Sequence, residues 1–250
     1  MGELPSTRVK VPLRPFINTG VDFAGPLYHR EIYEIFNKKD SKEKVFKYFA
    51  EEKINWNFIP QYAPHQESLW EAAVKSAKLH LKRVTKDTNL RFEELETLIC
   101  QIEAILNSRP ITSISADPND LQPLTPGHFL IGDSLTSYPE SSIENIPSNR
   151  LTRWKHIEQL RQHFWRRWTH EYLHQCQQRS KWVLIEKPLK VVQIVTLKDD
   201  NLPLLAWSLG RIEGLNAGED GLVRSVLLRT VDGLYTRPIT KICLLPIDID

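Results

Sequence analysis

Apolar residues recur at helical spacing in three stretches of the chain and then alternate with polar residues toward the C-terminus. The first stretch follows Ser68, which suits the capping position of a helix, and it contains neither Gly nor Pro. The second covers residues 92–107 and carries two glutamates in its first turn, where the helix dipole favours them. The third begins near Ser148 or Asn149 and continues to about residue 178. The pattern therefore predicts three amphipathic helices.

From residue 182 onward the pattern changes to the two-residue period of strands. The turn signals at 218–221 and 232–233 are typical of hairpins. The predicted strands cover residues 191–197, 207–213, 222–230 and 234–244. Short antiparallel strands with this much Val, Leu and Ile indicate a small β-barrel.

The remaining segments show little periodicity. Before the first helix, only residues 21–23 and 55–59 are predicted as short strands. Residues 108–149 are rich in Pro, Ser, Asp and Asn, and they predict a long linker with at most short turns.

Composition is that of a globular protein, with 41% hydrophobic and 26% charged residues in a chain of 250. No apolar run reaches the ~18 residues of a transmembrane helix, and no signal peptide is expected. Three widely spaced cysteines argue against a disulfide framework or a paired-cysteine metal site, so an intracellular location is expected. Cys100 lies in an apolar helical stretch and is expected to be buried.

The net charge is only +2, so its local distribution is more informative than its total. Residues 150–181 contain eight Lys or Arg and two acidic residues. Such a stripe is typical of phosphate-binding surfaces, although long solvated helices carry similar excesses. The same stretch interleaves Trp with Arg. Its tryptophans either stack on bases or, as we expect, are buried against a neighbouring element.

The polar face of the first predicted helix has two interpretations. Glu71, Lys75, Lys78 and Lys82 share this face because their spacing follows the helical repeat. One interpretation is a solvated stripe with an i,i+4 ion pair worth roughly 0.2–0.5 kcal/mol. The other is a metal-binding carboxylate followed by lysines that contact phosphates. Composition alone does not choose between them.

Residues 56–84, WNFIPQYAPHQESLWEAAVKSAKLHLKRV, resemble the end of the integrase catalytic core of Pao/BEL-type retrotransposons. The resemblance continues through DPNDLQPLTPGHFLIG at 117–132 and RLTRWKHIEQLRQHFWRRWTHEYL at 150–173. Upstream, RPFINTGVDFAGP at 14–26 resembles the opening strand of the same core. The resemblance implies an α/β fold in four parts. These are a truncated RNase H-like core (1–110), a linker (111–149), a long basic helix (150–181) and an SH3-like all-β barrel (182–250).

Integrase cores of this type hold two Mg²⁺ or Mn²⁺ ions between three acidic residues. The resemblance implies that Asp22 and Glu71 are the first and the last of these metal-binding, catalytic residues. The strands that would carry the second aspartate have no counterpart between them. Asp40, which lies in this interval, has the context of a loop or helix-cap residue. We therefore expect a degenerate core, with no productive metal binding and no catalytic activity.

The resemblance also implies that DNA is the partner. The implied nucleic-acid contacts are Lys75, Lys78, Lys82, Arg83, Arg153, Arg161, Arg166 and Arg167. On the predicted strands, the cations are either phosphate contacts or merely an exposed strand face; they are Arg211, Arg224, Arg229, Arg237 and Lys241. A homo-oligomer in the nucleus, without membrane association, would follow. The alternatives are a non-catalytic DNA- or RNA-binding or interaction module, and an inert remnant of a mobile element.

Overall fold

The computed structural model describes residues 47, 51, 68–86, 88–115, 117, 120–138, 140–177, 189–199 and 202–245. Within the first long helix, side chains are described from residue 73 onward. The chain divides into two compact units, Met1–Leu95 and Glu96–Asp250. The strands predicted at 21–23 and 55–59 lie outside the described residues. Among the described helices, none is long and apolar enough to cross a membrane.

Helix α1, Ser68–Thr85, forms where the hydrophobic period predicts it. Its last turn carries Lys82 and Arg83, at the end of the helix where cations interact favourably with the dipole. The side chain of His80 is buried, whereas Lys75 is exposed. The helix is therefore amphipathic, as predicted.

Helix α2 spans Phe92–Asn107, which are the predicted bounds. Its buried face includes Leu98, Ile102 and Ile105. The expectation that Cys100 is buried is wrong, because this residue is exposed. Leu98 and Ile102 each lie two positions from Cys100, and at 100° per residue that separation places the thiol on the opposite face.

The segment between α2 and the next long helix contains more structure than its composition predicts. Its elements are strand β1 (Thr112–Ser113), strand β2 (Pro123–Leu124), helix α3 (Pro126–Ile131) and a 3-10 helix (Ser148–Arg150). Strands β1 and β2 form a small antiparallel ladder. At the start of α3, the backbone N–H of Thr125 donates a 3.1 Å hydrogen bond to Nδ1 of His128. Gly132 ends the helix with φ of 79°, a left-handed conformation that favours glycine.

After helix α4, Arg153–Cys176, the chain forms a five-stranded antiparallel sheet. The strands are β3 (Ile194–Leu197), β4 (Leu209–Ala217), β5 (Val223–Thr230), β6 (Gly233–Pro238) and β7 (Ile242–Leu244). Their order is β6-β5-β4-β3-β7, so four strands form a meander and the fifth returns to pair with the first. The core of this sheet is Val195, Leu197, Ile212, Val226, Leu228 and Ile242.

The expected closed SH3-like barrel is corrected to an open sheet, because no ladder joins β6 to β7 in the part of the chain that the structure describes. The predicted strand at 234–244 is also divided. Pro238 ends β6, since proline has no N–H for a ladder, and a 3-10 helix, Ile239–Lys241, leads into β7. The observed fold therefore combines helices with an antiparallel sheet of five strands.

Candidate nucleic-acid interface

Helix α4 is the longest helix among the described residues, and it carries the candidate interface. The side chain of Thr152 caps its start, because the hydroxyl accepts a 3.3 Å hydrogen bond from the N–H of Lys155. Ser148 and Asn149, the predicted caps, instead belong to the preceding 3-10 helix. The helix consequently begins a few residues later than the sequence predicts.

One face of α4 is built from large apolar side chains. Those that are buried are Ile157, Leu160, Phe164, Trp165, Trp168 and Leu173. The expectation that the tryptophans pack inside is confirmed for Trp165 and Trp168. Trp154 differs, since 60% of it is exposed near the start of the helix. Two of the three tryptophans of α4 are thus unavailable for stacking on a base.

An aromatic cluster, formed by Trp168, Tyr172 and Trp207, holds this apolar face in place. Trp168 stacks on Tyr172 with the ring centroids 5.3 Å apart, and Trp207 meets both rings edge-on. The indole N–H of Trp207 donates to the hydroxyl of Ser108 at 3.3 Å, and the hydroxyl of Tyr172 donates to the carbonyl of Pro110 at 2.7 Å. Burial raises the pKa of Tyr172, so its hydroxyl remains a protonated donor. The cluster therefore fixes α4 against the residues that follow α2.

The opposite face of α4 is basic. Its exposed cationic and histidine side chains are Lys155, Arg166, Arg167, His170 and His174. At 100° per residue these positions fall within an arc of roughly 120°, which also contains His156 and His163. Neither acid of the helix, Glu158 or Glu171, falls inside this arc. The basic surface is interrupted where Gln159 and Leu173, which fall in the same arc, are buried.

Two interactions modify the histidines of this surface. The pKa of His163 is lowered, chiefly by burial, so its neutral form is favoured despite the nearby carboxylate of Glu144. The ammonium of Lys198, which follows β3, lies 3.4 Å from Nε2 of His170. The sheet thus contributes a further positive charge beside the helix.

Arg161 and Arg166, both implied DNA contacts, form ion pairs within the fold. The side chain of Arg161 is only 14% exposed, and it pairs with Glu158 and with Glu140. Arg166 pairs with Glu144 at 2.5 Å but remains 59% exposed. The structure therefore gives Arg161 an internal bonding role, whereas Arg166 still presents charge at the surface.

The segment before the 3-10 helix is bound along α4 by two buried glutamines. The amide nitrogen of Gln159 donates to the carbonyls of Ile143, Glu144 and Ile146, at 2.7–3.2 Å. The side-chain oxygen of Gln162 accepts a 2.9 Å bond from the N–H of Ile143. We call residues 140–147 the brace. Mainly polar contacts hold the brace against α4.

Glu158 occupies an unusual position for a carboxylate, because it is buried beside Glu140. Its pKa is raised, first by burial and then by the hydrogen bond with Glu140, while Arg161 acts in the opposite direction. The folded protein therefore holds this proton more tightly than the unfolded chain does. The resulting stability is fully present below the ordinary pKa and is lost as pH rises through the raised value.

We expect the variant Glu158→Gln to lose this pH dependence. The amide oxygen can still accept the 2.9 Å hydrogen bond that Gln101 donates, so the packing is kept. Urea denaturation from about pH 4 to pH 8 should show wild type gaining stability relative to the variant as pH falls. The exposed Glu103→Gln is the control. If the stability difference between wild type and Glu158→Gln does not vary with pH, the raised pKa of Glu158 is contradicted.

Three of the implied strand cations also have partners inside the fold. Arg224 binds Asp220 through both guanidinium nitrogens, at 2.8 and 2.6 Å, which lowers the pKa of Asp220 to about 2. Arg229 pairs with Glu213, and Arg211 is buried. The sheet therefore offers fewer available positive charges than its sequence suggests.

Residues 152–245, which contain α4 and the whole sheet, match a protein family model. The family is DUF5641, a family of unknown function. The match begins at the capping residue Thr152 and ends just beyond β7. No curated protein sequence matches the chain significantly.

Asp22 and Glu71 are the implied catalytic residues. Asp22 and the side chain of Glu71 lie outside the described residues. Of the implied DNA contacts on α1, Lys75, Lys82 and Arg83 are exposed and Lys78 is half-buried. On α4, Arg153 is exposed at the first helical position, and Arg166 and Arg167 lie together on the basic face. Within the described part of the chain, no group of three His, Cys, Asp or Glu residues could hold a metal ion.

Sequence reasoning missed the brace and the polar network beneath it. Gln159 and Gln162 are both buried, yet the helical repeat places them away from most apolar residues of α4, so the periodicity does not mark them as buried. Buried amides require hydrogen-bond partners. Their partners, however, are backbone carbonyls and N–H groups that no sequence pattern marks.

Proposed function

We propose that this chain is a non-catalytic nucleic-acid-binding module derived from a Pao/BEL-type integrase. DUF5641 is found in transposon- and integrase-associated proteins, which supports this origin. The resemblance of residues 56–84, which lie outside that match, to such integrases supports it independently. The strand order, with β7 returning to β3, is compatible with descent from an SH3-like domain.

The observation that carries the proposal is the basic face of α4. From Lys155 to His174 the helix rises by roughly 28 Å at about 1.5 Å per residue. DNA carries one negative charge per ~1.7 Å of its axis, so a surface of this length meets several phosphates. The opposite face is fixed by the aromatic cluster, so the cations are displayed on a rigid element.

Strand transfer is not part of the proposed function. A two-metal site requires three acidic residues, and the sequence supplies only Asp22 and Glu71. Binding should therefore be independent of Mg²⁺ or Mn²⁺. A nuclear location follows from a DNA partner and belongs to the same proposal.

The test is fluorescence anisotropy of the full chain with labelled duplex DNA over a salt series. We expect Kd to rise steeply with salt, and Arg167→Gln to weaken binding and reduce the slope of log K against log salt by about one. Arg167 is exposed and makes no ion pair with any residue that the structure describes. Its loss should therefore act on binding rather than on folding.

Arg224→Gln is the matched control, because it removes one charge that Asp220 already neutralises. Equal weakening by both variants would mean that total charge, not the face of α4, determines binding. Absence of binding at about 50 mM salt, where phosphate contacts are strongest, would reject the proposed function. A Mg²⁺-dependent nick in the DNA would show that the catalytic core is not degenerate.

A second candidate is an interaction module that assembles with copies of itself. Helix α3 exposes three consecutive apolar side chains, Phe129, Leu130 and Ile131, and such exposed apolar runs often mark protein contacts. Sedimentation velocity would separate the candidates. An oligomer that Ile131→Asp converts to a monomer, without any change in DNA affinity, would favour the interaction module.

A further inference from the structure

The end of α4 and the last strand bring two cysteines of distant sequence position together. Cys176 is the last residue of α4, and Cys243 is the central residue of β7. The thiol of Cys243 is buried and donates a 3.2 Å hydrogen bond to the carbonyl of Leu173. In an α-helix that carbonyl lies one turn before residue 177, beside the backbone of Cys176. The nearby thiol of Cys176 also contributes, after burial, to the raised pKa of Cys243.

Hydrogen bonds on both sides of Cys176 hold the end of α4 beside β7. On one side is the bond from Cys243 to Leu173. On the other, the side-chain amide of Gln177 donates a 2.6 Å hydrogen bond to the carbonyl of Thr240, just before β7. The end of the helix therefore cannot slide along the strand without breaking one of these bonds.

The surroundings keep both sulfurs reduced under ordinary conditions. Burial raises the pKa of Cys176, with a smaller opposite effect from the hydroxyl of Tyr172. Burial also raises the pKa of Cys243, to about 12. Because the thiolate is the reactive form, both residues react slowly at neutral pH. Cys176 is only half-buried and is the one that a small oxidant can reach.

We infer that Cys176 and Cys243 are a redox-sensitive pair whose disulfide staples the end of α4 to β7. Neither the nucleic-acid role nor the family match assigns this function to them. Disulfide formation requires no DNA binding, although Lys198, which lies beside His170 of the basic face, also acts to lower the pKa of Cys243. In a reducing compartment such a disulfide would form transiently, in response to oxidant.

The chemistry requires a peroxide as the oxidant. The thiolate of Cys176 attacks one oxygen of hydrogen peroxide, the O–O bond breaks, and a sulfenic acid forms while hydroxide leaves. The thiol of Cys243 then attacks this sulfur, the S–O bond breaks, and the second oxygen leaves as water. Two thiols lose two electrons and two protons in total, and one peroxide becomes two molecules of water.

The experiment treats the purified full chain with hydrogen peroxide, blocks the remaining thiols with N-ethylmaleimide and maps the peptides by mass spectrometry. We expect one intramolecular disulfide between Cys176 and Cys243, formed faster at pH 9 than at pH 7 because thiolate is required. The melting temperature without reductant should rise by several degrees, and dithiothreitol should reverse the rise. Cys100, which is exposed, should be blocked and remain unlinked.

Two variants make the result decisive. Cys100→Ser should leave the disulfide and the rise in melting temperature unchanged, whereas Cys176→Ser should abolish both. Should Cys176→Ser fold poorly, the peptide map of wild type still decides the question. Disulfides that involve only Cys100, or oxidation of Cys176 to sulfinic acid while Cys243 remains a free thiol, would overturn the inference.

Discussion

Trp168→Ala is expected to lower the free energy of unfolding by about 3–5 kcal/mol, the range observed when a buried aromatic side chain is truncated. Trp168 is 6% exposed, stacks on Tyr172 and contacts the edge of Trp207. Its removal opens a cavity at the centre of the aromatic cluster. It also releases the rings whose N–H and O–H groups bind the chain after α2. Equilibrium denaturation in urea, followed by circular dichroism, measures the loss.

Trp154→Ala is the matched control for this prediction. It removes the same side chain from the same helix, but Trp154 is 60% exposed. A change at such a position should fall within about 0.5 kcal/mol of wild type, because little apolar surface is returned to water. Similar losses in the two variants would show that helix propensity, rather than the cluster, dominates the stability of α4.

Gln159→Leu is expected to destabilise the protein by about 1–3 kcal/mol, despite the greater hydrophobicity of leucine. The amide nitrogen of Gln159 donates to three backbone carbonyls of the brace, and leucine leaves those acceptors without this donor. Detachment of the brace should also expose it to protease. Limited proteolysis should therefore cut within residues 140–147 in the variant sooner than in wild type.

Gln175→Leu, the same change at an exposed position of α4, is the control for this second prediction. It should leave both the stability and the cleavage pattern near those of wild type. If Gln159→Leu resists protease as well as wild type does, the brace is held by other contacts. The ion pairs of Arg161 with Glu140 and of Arg166 with Glu144 would then be the ones to remove next.

These two predictions connect the fold to the proposed function. The aromatic cluster acts on the buried side of α4 and contributes no charge to the basic face, whereas the brace brings the carboxylate of Glu144 to Arg166. Loss of the cluster should therefore weaken nucleic-acid binding only in proportion to unfolding. Arg167→Gln should do the reverse and change affinity while leaving stability near that of wild type. Measuring both the free energy of unfolding and the DNA affinity of each variant therefore distinguishes residues that stabilise the fold from residues that bind DNA.

The positions of the helices follow from local sequence. Both α1 and α2 appear at the predicted positions because their apolar residues recur every three to four residues without interruption by Gly or Pro. The same local rules predict three of the four strand regions, since turns with Gly and Asp are short-range signals. The last predicted strand is divided because the ring of Pro238 interrupts the ladder, an effect that is also visible in sequence.

The sequence predicted less well which side chains of these elements are buried and which are exposed. Cys100 was expected to be buried because it lies among apolar residues, but the angle around the helix axis places it outside. Arg161 was implied as a DNA contact, yet its side chain is directed into ion pairs with Glu158 and Glu140. The partner of a charged side chain depends on which distant segment packs beside it.

The sequence by itself determined the helices, the approximate strands, the basic stretch at 150–181 and the resemblance to an integrase. These depend on residues close together in the chain, where spacing and composition are sufficient. Tertiary structure alone decided that the sheet stays open, that the brace binds α4 and that Arg161 forms internal ion pairs while Arg166 and Arg167 remain exposed. It also brought Cys176 to Cys243. The physical reason is that burial and pairing depend on contacts between residues tens of positions apart, and no local pattern encodes which of them meet.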